Sequence, residues 1–112
     1  MSRIPWKGIS AYTSAKAALD MFARNLALEY APHGIRFNIV SPGNVAAGSS
    51  LFLYERDADY RREVDDISPL GCRNSPQSIA NGVLFLCSSL ADEADGMTLA
   101  IDAGVSLPKL QH

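Results

Sequence analysis

Cysteine is scarce in this chain of 112 residues: there are two, Cys72 and Cys87, and they do not stand in a metal-ligand spacing. No metal site is therefore expected. The thiols read as packing residues or, for Cys72, as an exposed thiol, in a reducing, cytoplasmic setting. Long apolar runs are also lacking. None reaches the ~18 residues that a membrane span needs, so no membrane partner is expected. No charged-then-apolar leader with a cleavage site opens the sequence, so secretion is not indicated. Positive charge is not in excess: the net charge is −2 and the pI about 5.5. That balance speaks against nucleic acid or an anionic surface as partner. What remains is a soluble composition, 47% hydrophobic and 20% charged, at a length that allows one small domain.

Within that frame one stretch stands out, Tyr12-Thr13-Ser14-Ala15-Lys16. Its phenol and ammonium lie four residues apart at the start of a strongly helical run, hence on one helix face. A Lys⁺ held near a Tyr hydroxyl stabilises the phenolate and lowers the phenol's usual pKa of ~10. Such a Tyr gives or takes a proton near neutral pH, as a carbonyl or alcohol requires when hydride moves on or off its carbon. On spacing alone, the plainer reading is a helix with a half-buried Tyr and a solvated Lys.

The rest of the chain reads as alternating elements. Met1 to Ile9 is a loop broken by Pro5 and Gly8, in which Trp6 serves packing or lines an entrance. Ser10 is expected as the N-cap of a helix from about Ala11 to Tyr30 or Ala31, ended by Pro32 and Gly34. One apolar set on it comprises Ala15, Ala18, Leu19, Phe22 and Leu26; a second comprises Ala17, Met21 and Leu28. Two stripes are more than one core-facing side needs, so the helix is expected to be covered on more than one side. Ile35 to Val40 reads as a buried strand, with Arg36 and Asn38 reaching polar groups. The loop Ser41-Pro42-Gly43-Asn44-Val45 follows it, where an open parallel sheet binds ligands; without further context, Pro-Gly is a turn. Residues 46–68 are the least regular, with a short helix over Asp59–Asp66 carrying Tyr60, Val64 and Ile67. Ser75 and Pro76 open another helix to about Ser88 or Ser89, with Ile79, Val83, Leu84 and Leu86 as core candidates. Asp92 to Gly96 is a polar turn and Met97 to Ile101 a last strand; the tail beyond it carries Pro108 and no pattern.

Several of these stretches together resemble the short-chain dehydrogenase/reductase family. They are Ser10–Leu19 with its Tyr-x-x-x-Lys, Leu26–Asn38, Ser41–Val45 and Ile101-Asp102-Ala103-Gly104, in the family's order over nearly the whole chain. The resemblance implies an α/β fold: the C-terminal portion of a Rossmann-type doubly wound parallel sheet, in the order helix, strand, lid, helix, strand, as one incomplete domain over 1–112. It implies an NAD(P)-dependent oxidoreductase acting on a small alcohol or carbonyl substrate. Tyr12 would be the catalytic acid/base, and Lys16 would bind the nicotinamide ribose and assist Tyr12. Pro42, Gly43 and Val45 would hold the nicotinamide, with the Val45 main chain on its carboxamide. Residues 46–68 would form the lid over the substrate; a solvated connector is the other reading. Dimers or tetramers through the 11–30 helix, and through the last helix and strand, are implied as well.

The sequence departs from the family at three places. Ala47 stands where a cofactor-bonding Thr is frequent, Cys72 where Pro-Leu-Gly is followed by Arg, with Arg73 one place later, and Ala103 where Asp is followed by Gly. Two parts of the family's equipment have no counterpart. No G-x-x-x-G-x-G or G-x-G-x-x-G occurs, so the N-terminal nucleotide-binding half is not represented. The family's Ser lies well upstream of the Tyr; Ser2 is too close, and counting back passes Met1. Two functions of different class follow. One is part of an NAD or NADP oxidoreductase that is inactive as this chain alone. The other is a non-catalytic remnant or an oligomerisation module.

Overall fold

The structure, a computed structural model, describes residues 7–107. Trp6, Ser2 and the tail from Pro108 lie outside the described residues. In order, the elements are helix α1 (Ser10–Tyr30), a 3₁₀ turn (Ala31–His33), strand β1 (Ile39–Pro42), helices α2 (Gly48–Arg56), α3 (Ala58–Ile67) and α4 (Pro76–Cys87), a second 3₁₀ turn (Ser89–Ala91) and strand β2 (Thr98–Ile101). β1 and β2 form a parallel pair with Ile39 opposite Thr98 and Pro42 opposite Ile101. The α/β class and the helix-strand-helix-strand order expected from the sequence both hold.

Several boundaries differ from expectation for local reasons. Ser10 is the first helical residue of α1, not its cap; Ile9 occupies the cap position and no side chain caps it. Instead the Thr13 hydroxyl donates back to the Ile9 carbonyl at 3.0 Å. β1 begins at Ile39, not Ile35, and runs through Pro42. The preceding residues are held by side chains rather than by a ladder. Arg36 donates to the Leu86 and Ala94 carbonyls, and Asn38 bridges the Ala94 carbonyl and the Met97 amide. The Phe37 amide donates to Asp95 and its carbonyl accepts from Gly96. The two polar residues that interrupt the apolar run thus clamp it to the Asp92–Gly96 turn.

Residues 48–56, expected to be irregular, form α2. Two arginines support it. The Arg56 guanidinium lies 3.9 Å from the Phe52 ring centroid, one turn away. Arg61 donates to the Tyr54 and Glu55 carbonyls, which the end of a helix leaves without partners. Asp57 caps α3 by accepting from the Asp59 and Tyr60 amides. Ser75 caps α4 on the Ser78 amide, as the sequence indicates.

The buried apolar set among the described residues is Ala27, Val64, Leu86 and Ala91. α4 lies close over the strands because Gly82 has no side chain: a Cβ there would collide with Ile101 and touch Leu99. Leu84, expected in the core, is 69% exposed, and Val83 is also exposed. Cys87 is exposed rather than packed. Among the described residues, α1 packs on the rest near its C-terminal end, where Ala27 is buried close to Gly96 and Tyr30 meets Phe37 ring to ring. The helix, expected to be covered on more than one side, leaves Leu19 and Phe22 of its first apolar set and Met21 and Leu28 of its second exposed. Length explains this: 21 helical residues span about 30 Å, whereas a four-residue strand spans about 13 Å.

Candidate active site

Tyr12 and Lys16 sit together near the N-terminal end of α1. The Lys16 ammonium lies 5.6 Å from the centroid of the Tyr12 ring, and Tyr12 is about half exposed. Spacing of four in an unbroken helix is sufficient to produce this pairing. Among the described residues, no hydrogen bond, ion pair or ring contact links either side chain to Pro42–Val45.

Pro42, Gly43 and Val45 form the second group, at the carboxyl end of β1. The Gly43 amide donates to the Ile101 carbonyl at 3.2 Å, which carries the chain out of the sheet beside Asp102. A Cβ on Gly43 would lie 2.8 Å from both the Asp102 Cα and the Asn74 Oδ1. Glycine is thus required for this approach, not for its dihedral freedom. Asn74 is buried and forms a parallel bridge with Val45: its amide donates to the Asn44 carbonyl and its carbonyl accepts from Ala46. Its Oδ1 has no hydrogen-bond partner among the described residues. The bridge uses the groups on either side of Val45, so the Val45 amide and carbonyl lie outside that pairing. The carbonyl accepts from Ala47 at 2.9 Å. Ala47 is also the cap position of α2, where no side chain bonds the helix. The missing hydroxyl at 47 therefore leaves α2 uncapped.

The sequence does not single out Asn44, yet this residue joins the loop to the helices beyond. Its Oδ1 accepts from Ser50 Oγ at 2.8 Å and from Arg73 Nε at 3.2 Å, and its Nδ2 donates to the Tyr60 hydroxyl at 3.2 Å. The usable signal is its place after Pro-Gly at a strand's carboxyl end. Tyr54 donates to Asp65 at 2.8 Å. The hydrogen bond to the Asp65 carboxylate, followed by burial and the Asp65 charge, pushes the phenol above its ordinary value, against Arg61 and Arg73. A cavity of about 470 Å³ opens at the carboxyl end of β2, between residues 70–75 and 100–104; Tyr12 and Lys16 do not line it.

Asp102 closes that end. Burial raises its carboxyl, but hydrogen bonds from the Ser106 side chain and from the Gly104 and Ser106 amides outweigh it and hold the group below its ordinary 3.8. The turn they close keeps Ala103 at φ 53°, a left-handed conformation that disfavours a side chain. Ser68 and the Leu70 amide both donate to the Ala103 carbonyl and hold the turn in place. Because the folded carboxyl is the stronger acid, its stabilisation is present above 3.8 and is lost as pH falls through the lower folded value. Asp102→Asn should therefore flatten the acid limb of a melting-temperature profile. An unchanged acid limb would show that the turn does not depend on the charge.

A family model described as enoyl-(acyl carrier protein) reductase matches residues 1–106. The 3beta-hydroxysteroid dehydrogenase 1 of Eggerthella lenta is 34% identical over 106 residues, 93% of this chain and 40% of that protein. A tropinone reductase homolog of Arabidopsis thaliana is 38% identical over 98 residues, 88% of this chain and 37% of that protein. Among solved structures, a short chain dehydrogenase family protein from Francisella tularensis superposes with a TM-score of 0.83 at 29% identity, over 94% of this chain and 47% of that one. The chain thus spans about two fifths of the length of the curated relatives it matches, and the two strands and four helices of its described residues correspond to part of a Rossmann fold. By the matched model and these relatives, the chain belongs to the short-chain dehydrogenase/reductase family.

Proposed function

We propose that the protein carrying these residues is an NAD(P)-dependent oxidoreductase that moves a hydride between a nicotinamide and an alcohol or carbonyl carbon. The observation that carries this reading is the Tyr12–Lys16 pair, held together on an exposed helix face within a chain of this family. A 29%-identical relative, a protein assigned as a 2-deoxy-D-gluconate 3-dehydrogenase from Agrobacterium tumefaciens, was solved with bound NADP. The residues present fit the nicotinamide-ribose end of such a cofactor: an ammonium, a phenol, and a main-chain amide at Val45 outside the Asn74 bridge. They offer no Gly-rich turn for a pyrophosphate, so these 112 residues supply the nicotinamide end alone.

When bound, the nicotinamide supplies or accepts the hydride. The Tyr12 hydroxyl gives its proton to the carbonyl oxygen in reduction, and the Tyr12 phenolate takes one from the alcohol in oxidation. Lys16 holds the ribose hydroxyls and places positive charge beside Tyr12. The main chain of Val45 orients the carboxamide, and α2 and α3 cover the substrate. The test is hydride transfer by the whole-chain protein, followed by nicotinamide absorbance across a panel of secondary alcohols and ketones. Turnover that needs the Tyr12 hydroxyl is expected. Saturable cofactor binding with no turnover of any member would count against the reading.

Association is the second property that an observation favours. Met21 and Leu28 are 55% and 78% exposed on α1, and no element among the described residues covers them. An apolar face of this kind marks an interface, and a two-fold contact through α1 would place Met21 near its own copy. Met21→Glu or Leu28→Glu should shift sedimentation velocity profiles toward the smaller species. Wild-type protein that sediments as a monomer at every concentration would remove the interface.

A further inference from the structure

Three hydrogen bonds and a ring stack converge on Arg73. Its Nε donates to Asn44 Oδ1 at 3.2 Å, and its Nη2 donates to Ser50 Oγ at 3.0 Å and to the Val45 carbonyl at 3.4 Å. Its guanidinium carbon stands 4.1 Å from the Tyr54 ring centroid. Two of these partners, Asn44 and Val45, belong to the loop after β1, and the other two, Ser50 and Tyr54, belong to α2. α3 joins the same group, because Tyr60 bonds Asn44 and Ser50 while Asp65 accepts from Tyr54. A planar fork with several donors and a flat face can meet such a set at once, whereas an ammonium cannot. Cys72, one place earlier, is exposed and takes no part.

We infer that Arg73 is a positioning residue for the proposed reaction: it fixes the Val45 carbonyl and ties the α2–α3 pair to it, so that the loop and the segment covering it hold one arrangement. This rests on the assignment of the Gly43–Val45 loop to the nicotinamide. Without Arg73, the Val45 carbonyl keeps, among the described residues, the Ala47 amide, and α2, which has no side-chain cap of its own, is left with the Ser50–Asn44 bond as its direct side-chain tie to the loop. The consequence is local. α4 and β2 meet through Gly82 and Ile101, with no contribution from Arg73.

Backbone hydrogen exchange on the whole-chain protein separates the outcomes. Arg73→Met should speed exchange at amides 46–56 by about tenfold or more, the loss expected for charge-assisted bonds, and leave amides 82–86 and 99–101 unchanged. Ser50→Ala should speed exchange within α2 alone, and by less. In the same Arg73→Met protein the cofactor KM should rise more than kcat falls. Exchange that quickens everywhere would make Arg73 a general stabiliser and overturn the inference, as would exchange that does not change. Local quickening with an unaltered cofactor KM would uphold the tie and remove the nicotinamide assignment of the loop. If Arg73→Met does not fold, Arg73→Lys and Ser50→Ala are read on the same amides: local quickening supports the tie, and none overturns it.

Discussion

Tyr12→Phe in the whole-chain protein is expected to lower turnover by about 10²–10⁴-fold, the usual contribution of a positioned acid/base, with cofactor affinity nearly unchanged. Phenylalanine keeps the ring beneath the Lys16 ammonium, 5.6 Å away in the wild type, and loses only the transferable proton. Exposure of about half the side chain makes the substitution mild for folding, so the loss would be chemical. Lys16→Ala is the companion measurement. It removes both the proposed ribose contact and the charge beside the phenol, so it should weaken cofactor affinity and turnover together. The pattern distinguishes roles: loss in kcat alone marks the acid/base, and loss in both marks the residue that also binds. A Tyr12→Phe protein retaining more than a few per cent of wild-type turnover would show that another group moves the proton.

Gly43→Ala is expected to destabilise the fold by about 1–3 kcal/mol, the range for forcing extra volume into a closed contact. The added methyl would stand 2.8 Å from the Asp102 Cα and 2.8 Å from the Asn74 Oδ1. One neighbour is backbone and cannot rotate away. The other is a buried oxygen already without a partner among the described residues. Relief requires the loop to leave Asp102, which breaks the Gly43 amide bond to the Ile101 carbonyl. Gly82→Ala provides the contrast. Its methyl would meet Ile101 more closely still, but at the tip of a side chain that can change rotamer. Denaturant midpoints should therefore fall further for Gly43→Ala than for Gly82→Ala. The reverse order would mean that the loop after β1 is free to move away from β2.

Some features are legible in the sequence because they depend on residues close along the chain. The unbroken run from Ser10 to Tyr30 has no Gly or Pro, and so both the helix and the Tyr12–Lys16 pairing follow from periodicity. Ser75 before Pro76 announces α4, and Gly34 ends the helical region at φ 71°. The place of Pro42-Gly43 after a short β-branched run puts a loop at the carboxyl end of a strand. The missing Gly-rich turn and the order of motifs tell which part of a dinucleotide fold the chain resembles.

Other features depend on partners far along the chain, and local pattern has no access to those. β1 starts at Ile39 because Arg36 and Asn38 commit their donors to carbonyls about 50 or more residues away. α2 forms where no apolar period is evident, because Arg61 and Arg56 satisfy its end and its side. Ser10 loses the cap because Thr13 bonds Ile9 instead. Arg73 finds Asn44, Val45 and Ser50 across 23 to 29 residues. The long helices, the Tyr12–Lys16 pair and the family motifs therefore follow from the order of residues, since each rests on spacing within a turn or a short run. What Gly43 must avoid and what Arg73 holds emerge with the folded arrangement, since both depend on which distant backbone and side-chain atoms the parallel pairing of β1 and β2 brings alongside.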